Sequence, residues 1–322
     1  RVLRDALATG WQRVTRDHAQ DRVTEALDFA ATTLVPRLAR TTDEIANTLH
    51  ALDGGYIPAG PSGAPTRGMA HVLPTGRNFY SVDPKTLPTP AAWEVGQALA
   101  EAVVQRHLED EGCYPVTVGL VVWGTAAMRT HGDDIAEALA LLGVRPVWAD
   151  ESGRIAGLEL MTLDELGRPR VDVTLRISGF FRDAFPHLVH LVDEAIELAL
   201  DAAQHEPAEH NPLARNGVDH RIFGAKPGAY GSGILPLLES RSWRDDTDLA
   251  AVYLAWSGYG YSRRAYGEPA AESMRRRLAA IDIAVKNQDN REHDIFDSDD
   301  YLQEHGGMIA AIRAISGRDP KA

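Results

Sequence analysis

Residues 116–122 read VTVGLVV, an unbroken apolar run. A run of this kind leaves no solvated face, so it fits a strand of a parallel sheet buried on both sides. Parallel strands need crossover connections, usually helical. The following sequence supplies one: WGTAAMRTHGDD opens helical sequence that carries Ile135, Leu139 and Leu142 on one face and stops at Gly143. VRPVW (144–148) reads as the next strand, giving a βαβ unit whose crossover is expected to be right-handed. The alternation continues with a short strand near 157–160, the turn LDELGRPR, and a strand at VDVTLRI (171–177). A helix is then expected from about Ala184 to Ala203, with Leu188, Leu191, Val192, Ala195 and Ala199 toward the sheet. RIFG (221–224) and IAVKN (283–287) are further candidate strands, with helices expected near 246–258, 268–280 and 299–315. The fold class expected is therefore α/β: a parallel-rich sheet with flanking helices in Rossmann-like βαβ units, preceded by an N-terminal helical segment.

Three stretches organise the chain. Residues 1–53 read as helices, with Thr41 and Glu44 spaced as a capping box and Gly54-Gly55 as a stop. Residues 54–90 form a long loop rich in Pro and Gly; loops of that length in compact proteins are usually functional. From 91 to 322 the α/β domain follows, with a candidate sub-boundary near 204–220. Its first helix starts at Thr89-Pro90 and runs to about Glu111.

Composition removes several function classes. Asp plus Glu outnumber Lys plus Arg by 46 to 33, a formal charge of −13. Nucleic-acid and lipid-headgroup surfaces need the opposite sign, so neither partner is expected. No apolar run approaches the roughly 20 residues of a membrane span. The single Cys113 allows no internal disulfide, which suits a reducing, cytoplasmic location.

Ligands of parallel α/β sheets bind at the carboxyl ends of the strands, where helix N-termini point. Three segments fall there. The first holds Trp123 and Thr125, with Arg129 and His131 just beyond; the second leads through Ser178-Gly179 to Arg182 and Asp183; the third runs from Asn287 to Asp294. Arginines can grip carboxylates bidentately. The long loop adds Arg67, Arg77, Asn78 and Tyr80 as candidate ligand contacts. The stretch QDNREHDIFDSDDY (288–301) offers Asp289, Glu292, His293 and Asp294 as mixed oxygen and nitrogen donors for a divalent transition metal. Asp297 to Asp300 suit the start of the last helix instead. The glycine-rich GAKPGAYGSG (224–233) lacks the Lys-Ser/Thr of a phosphate-binding loop, so ATP hydrolysis by this chain is not expected. A tight turn beside a large flat ligand suits those glycines equally well.

The segments GGYIPAGPSGAPTRG, VLPTGRNFYSVDP, VVWGTAAMRTHGDDIAEALALLGVRPVW, ELGRPRVDVTLRISGFFRDAFPHLVHLVDEA, RIFGAKPGAYGSGI, YLAWSGYGYS and NQDNREHDIFDSDDYLQEHGG occur in that order. Together they strongly resemble the large subunit of aerobic cobaltochelatase (the CobN type), a relative of the large subunit of magnesium chelatase, over about residues 50–320. The resemblance implies a segment from the C-terminal half of a longer, cytoplasmic ligase-type chelatase. It implies binding of hydrogenobyrinic acid a,c-diamide and of Co²⁺ as the substrate metal, for cobalt insertion in cobalamin biosynthesis. ATP and Mg²⁺ would then belong to AAA+ motor subunits acting as partners, not to this chain. Within that reading Asp289, Glu292, His293 and Asp294 are the candidate metal ligands, and Glu292, His293 and Asp294 also the candidate catalytic groups, on the strength of their own chemistry. The family's upstream His-Gly-x-Leu-Glu-Trp motif does not occur here, so the segment alone is expected to be inactive. Two other roles are open: a non-catalytic scaffold that docks the motor subunits, or the porphyrin-metallating magnesium type.

Overall fold

The computed structural model describes residues 18–61, 70–77, 82–216, 220–289 and 297–321. The chain divides into two compact units, Arg1–Val82 and Asp83–Ala322.

The first unit is helical. It contains α1 (His18–Phe29), a π-helical turn (Ala30–Leu34), α2 (Val35–Leu38) and α3 (Asp43–Leu52). The capping box expected from Thr41 and Glu44 does not form, because Thr42 takes the cap position with helical backbone angles and no side-chain bond. The Asp43 carboxylate at the start of α3 is held by Arg40 instead, with Nη2 to Oδ2 at 2.7 Å. Gly54, at φ +79°, ends the helix as expected.

In the second unit α4 (Pro90–Glu111) starts where Thr89 Oγ1 accepts from the Ala92 amide and stops at left-handed Gly112. Strand β1 (Thr117–Val122) is buried along its whole length. The single helix expected after it is two, α5 (Gly124–Thr130) and α6 (Asp133–Leu142), broken where His131 and Gly132 both take positive φ. A larger correction concerns β2 (Val144–Trp148), which does not join β1. It pairs antiparallel with β3 (Ile155–Leu160) in a sheet of its own. Pro146 has no amide proton to give a central ladder, and alternate β2 residues are partly or fully exposed, which is the pattern of an outlying hairpin.

The true partner of β1 is β4 (Asp172–Ile177), parallel from Thr117–Asp172 to Val122–Ile177. Between them lies α7 (Leu163–Leu166), which carries the capping box of Thr162 and Glu165. The Gly-Arg-Pro-Arg segment has a structural role. Arg168 donates to Ala140 O at 2.9 Å, and Arg170 donates to Leu142 O at 3.0 Å and Gly143 O at 2.9 Å. These carbonyls lie at the carboxyl end of α6, where the helix runs out of its own i+4 donors. The long helix after β4 is also two pieces, α8 (Gly179–Ala184) and α9 (Pro186–Ala202), with Leu188, Val192, Ala195 and Ala199 buried.

Then follow β5 (Ile222–Gly224), α10 (Ile234–Ser240), α11 (Asp246–Ser257), the antiparallel strands β6 (Tyr259–Tyr261) and β7 (Tyr266–Pro269), α12 (Ala271–Ala280) and β8 (Ile283–Val285). A π-helical turn (Tyr301–Gly306) leads into α13 (Gly307–Ser316). The six-stranded sheet has the order β7-β6-β5-β4-β1-β8, parallel from β5 to β8 with an antiparallel edge. Tyr253, Met274, Leu278, Met308 and Ile312 pack with Val121 and Phe223 from the sheet, building one core from α11, α12 and α13. At the amino end of β4 the buried Asp172 receives Arg221 Nε and Arg277 Nη1, each at 2.7 Å. Burial alone would raise the Asp172 pKa, but Arg277 and Arg221 outweigh it and hold the carboxyl below its usual range. Among the described residues no helix is long and apolar enough to cross a membrane.

Candidate functional site

The carboxyl ends of β1 and β4 open into a cleft of about 580 Å³. Its floor is Trp123-Gly124-Thr125 after β1, beside Ser178-Gly179-Phe180 after β4. The glycine-rich loop contributes Tyr230, Gly231 and Gly233, α10 contributes Leu235, Pro236 and Glu239, and α11 contributes Trp256. Asp300, Gln303 and Glu304 close the other side. The rings of Phe180, Tyr230 and Trp256 are 40%, 60% and 45% exposed, so the walls are aromatic and open to a ligand.

Two close approaches fix those walls. A Cβ on Gly179 would lie 2.5 Å from the Tyr230 ring, and one on Gly233 would lie 2.3 Å from the Trp256 ring. Both rings therefore rest on bare backbone.

Arg182 belongs to the support of this loop. It is almost fully buried, and its Nη1 donates to the carbonyls of Ala225, Lys226 and Ala229 at 3.2, 2.9 and 3.0 Å. Its remaining edge grips Asp183, at 2.6 and 2.8 Å, and Tyr230 donates to the same carboxylate at 2.8 Å. The hydrogen bond from Arg182 holds the Asp183 carboxyl below its usual range. Neither residue lines the cleft, so the expectation of direct ligand contact from this pair gives way to a positioning role. The guanidinium gathers three carbonyls of the loop onto one buried donor group.

The floor is braced from below. Trp123 Nε1 donates to Glu304 Oε2 at 2.7 Å, and Arg176 Nη1 lies 2.5 Å from Glu304 Oε1. That second contact is an ion pair with both side chains at most 5% exposed. Arg176 Nη2 also donates to Gly231 O at 2.7 Å. On the π-turn, Gln303 Oε1 accepts from the Ser232 amide at 3.3 Å, and Ser232 Oγ donates to Gln303 O at 2.8 Å. Thus β4, the glycine loop and the last helix are joined around one carboxylate. Tyr301 meets the Trp123 ring edge-on at 4.9 Å, and Lys286 Nζ sits 4.4 Å from the same ring.

The acidic stretch starts at the same sheet edge. Asp289 is buried, and its Oδ2 accepts from Arg129 Nε at 2.5 Å. This pairing makes Arg129 and Asp289 a strut between α5 and the chain after β8, rather than an open substrate grip and an open metal ligand. His131 forms the left-handed corner between α5 and α6, and its carbonyl accepts from the Thr89 amide at 3.2 Å. Among the described residues no cluster of three or more His, Cys, Asp and Glu side chains is arranged to hold a metal ion. Arg77 is exposed in the first unit, where its side chain borders Gly60. Arg67, Asn78, Tyr80, Glu292, His293 and Asp294 lie outside the described residues. Of the sequence-derived candidates, then, the cleft brings together Trp123 and Thr125.

One feature beneath this edge carries no sequence signature beyond Gly-Asp-Asp. Asn287 Nδ2 donates to both Asp134 Oδ1 (2.7 Å) and Glu137 Oε2 (2.6 Å), and both acids are almost fully buried. Burial pushes the Glu137 carboxyl up to about 8, and Asp134 and Asp133 nearby add to this against the Asn287 hydrogen bond. The Asp134 carboxyl also rises, chiefly through burial. Native Glu137 holds its proton more tightly than the unfolded chain does. Stability is therefore fully present below about pH 4.5 and declines as pH rises toward about 8. Glu137→Gln is expected to flatten that decline, which amounts to at most about 1.4 kcal/mol per pH unit. Thermal midpoints of the two proteins should agree near pH 5 and diverge by pH 8, with the variant higher. Parallel profiles would show that Glu137 is ionised in the native state.

A family model described as CobN/Magnesium Chelatase matches residues 1–322. The aerobic cobaltochelatase subunit CobN of Pseudomonas aeruginosa is 50% identical over 294 residues, covering 85% of this chain and 23% of that protein. The H subunit of magnesium chelatase from Rhodobacter capsulatus is 35% identical over 294 residues, covering 87% of this chain and 24% of that protein. Among solved structures, the catalytic subunit of cobaltochelatase from Mycobacterium tuberculosis superposes with a TM-score of 0.87 at 54% identity, over 98% of this chain and 28% of that one. The chain thus spans about a quarter of the length of these relatives. These matches show that the chain belongs to the CobN/magnesium chelatase family, alongside subunits of metal chelatases.

Proposed function

We propose that this chain supplies one wall of the macrocycle site of a cobaltochelatase, which inserts Co²⁺ into hydrogenobyrinic acid a,c-diamide. The observation that supports this reading is the aromatic cleft at the carboxyl ends of the parallel strands. Phe180, Tyr230 and Trp256 offer flat apolar surface above the buried Trp123, and the Arg176–Glu304–Trp123 brace keeps the floor from adjusting. Metal insertion replaces protons on ring nitrogens by the dication, so the ring must be held while protons leave and water is stripped from the metal. The described residues serve the holding step. Metal and proton handling is assigned to Glu292, His293 and Asp294, because mixed carboxylate and imidazole donors suit a divalent transition metal. Cobalt is favoured over magnesium because identity is 49–50% to the CobN subunits and 32–35% to the magnesium-chelatase subunits. ATP hydrolysis falls to AAA+ partner subunits, and the setting is cytoplasmic.

A docking role for the first unit has its own support. Ile45, Leu49 and Leu52 project from one side of α3 at 68%, 60% and 79% exposure, a stripe at helical spacing that suits a protein partner.

The cleft contains Trp123 and Trp256, so macrocycle binding is expected to quench tryptophan emission saturably. Titration of the full-length subunit with hydrogenobyrinic acid a,c-diamide tests this. Emission that does not saturate, or that is quenched equally by an unrelated planar dye, would overturn the reading.

A further inference from the structure

A tetrapyrrole edge that carries carboxylates calls for arginines, yet the described cleft lining contains no Arg, Lys or His. Its ionisable groups are Glu239, Asp300 and Glu304 besides the Tyr230 phenol. Three arginines do stand nearby, and each is matched to an acid: Arg129 to the buried Asp289, Arg176 to the buried Glu304, and Arg182 to the exposed Asp183. Glu304 is thereby neutralised and buried. Glu239 and Asp300 are left as exposed carboxylates on the cleft wall, and of these Asp300 Oδ1 accepts from Gln303 Nε2 at 3.0 Å. Exposed aromatic rings frame them, and such low-dielectric walls strengthen the field of both charges.

This lining repels an anionic edge and accepts from N–H donors. From it we infer that the cleft faces an amide-bearing edge of the macrocycle, with Glu239 and Asp300 as specificity-determining residues. Each carboxylate accepts a hydrogen bond from a primary amide of the ligand. Where the ligand carries the free acid instead, two carboxylates face each other and no donor is available between them. Discrimination then comes as much from rejecting the acid as from holding the amide. The inference rests on the macrocycle reading and adds which edge of the ring enters and what chemistry reads it.

The test compares hydrogenobyrinic acid a,c-diamide with unamidated hydrogenobyrinic acid as ligands of the full-length subunit, by tryptophan quenching at fixed ionic strength. The parent protein is expected to favour the diamide by about tenfold or more, the scale of one such contact. Glu239→Gln with Asp300→Asn keeps shape and acceptor oxygens while removing both charges. It is expected to narrow the preference to within about threefold, mainly by tighter binding of the acid. Glu239→Arg is expected to reverse the preference. Equal affinity of the parent for both macrocycles, or a preference that the double substitution leaves unchanged, overturns this inference while the macrocycle site stands. Binding of neither macrocycle by the parent overturns both.

Discussion

Arg176→Met is expected to destabilise the second unit by about 3–5 kcal/mol, because it leaves the Glu304 carboxylate buried without a counter-charge. The side chain is 1% exposed and Glu304 5%, so solvent cannot take over the role. The same substitution removes the donor to Gly231 O, and with it the tie between β4 and the glycine-rich loop. Urea unfolding should show the loss as a lower midpoint at unchanged slope. Combining Arg176→Met with Glu304→Met removes both charges and should recover most of the stability, since apolar replacements of buried ion pairs are often neutral. Macrocycle affinity should not recover with it. Trp123 Nε1 then has lost its acceptor, and Ser232 and Gln303 alone secure the last helix to the loop. Recovery of both properties together would mean that the ion pair serves stability only.

Gly233→Val acts on the cleft directly. Gly233 has φ +77° and its Cβ position lies 2.3–2.5 Å from three atoms of the Trp256 ring. A β-branched residue is strained at that φ, and its side chain must displace the indole from the wall. Macrocycle affinity is expected to fall by more than about tenfold, equivalent to about 1.4 kcal/mol. Backbone strain alone can be separated from the lost wall. Gly228 lies in the same loop at φ +80° with nothing within 4 Å of its Cβ position. Gly228→Val should therefore cost stability of similar size while leaving affinity nearly intact. Equal losses of affinity in the two variants would assign the effect to the loop backbone and not to Trp256.

Much of this arrangement is legible from residue patterns, for reasons that differ by element. VTVGLVV has no polar face, so its burial and parallel pairing follow from composition; VDVTLRI alternates, and its polar face of Asp172, Thr174 and Arg176 is buried because distant partners meet it. The hairpin β2–β3 reads as part of the main sheet because a five-residue run gives no sign of which partner it joins. The break between α5 and α6 turns on His131 in a left-handed conformation, which non-glycine residues seldom advertise. At the site, strand ends put Trp123 and Thr125 beside the cleft. The arginines are a different matter. Arg129 looks available in the sequence, but its pairing with Asp289 is a tertiary contact that spacing does not encode, whereas Arg182 pairs with its own neighbour Asp183. Trp256 sits in helical sequence whose faces are both apolar, so nothing singles it out. Arg176 does carry a signal, as the cation within a buried strand, which calls for an equally buried partner.

The most direct measurement is a structure of the full-length subunit with hydrogenobyrinic acid a,c-diamide bound. The macrocycle should lie over Trp123-Gly124-Thr125, against Phe180, Tyr230 and Trp256, with amide nitrogens within hydrogen-bond distance of Glu239 and Asp300. A macrocycle seated elsewhere, with this cleft filled by solvent or by a partner subunit, would contradict the account.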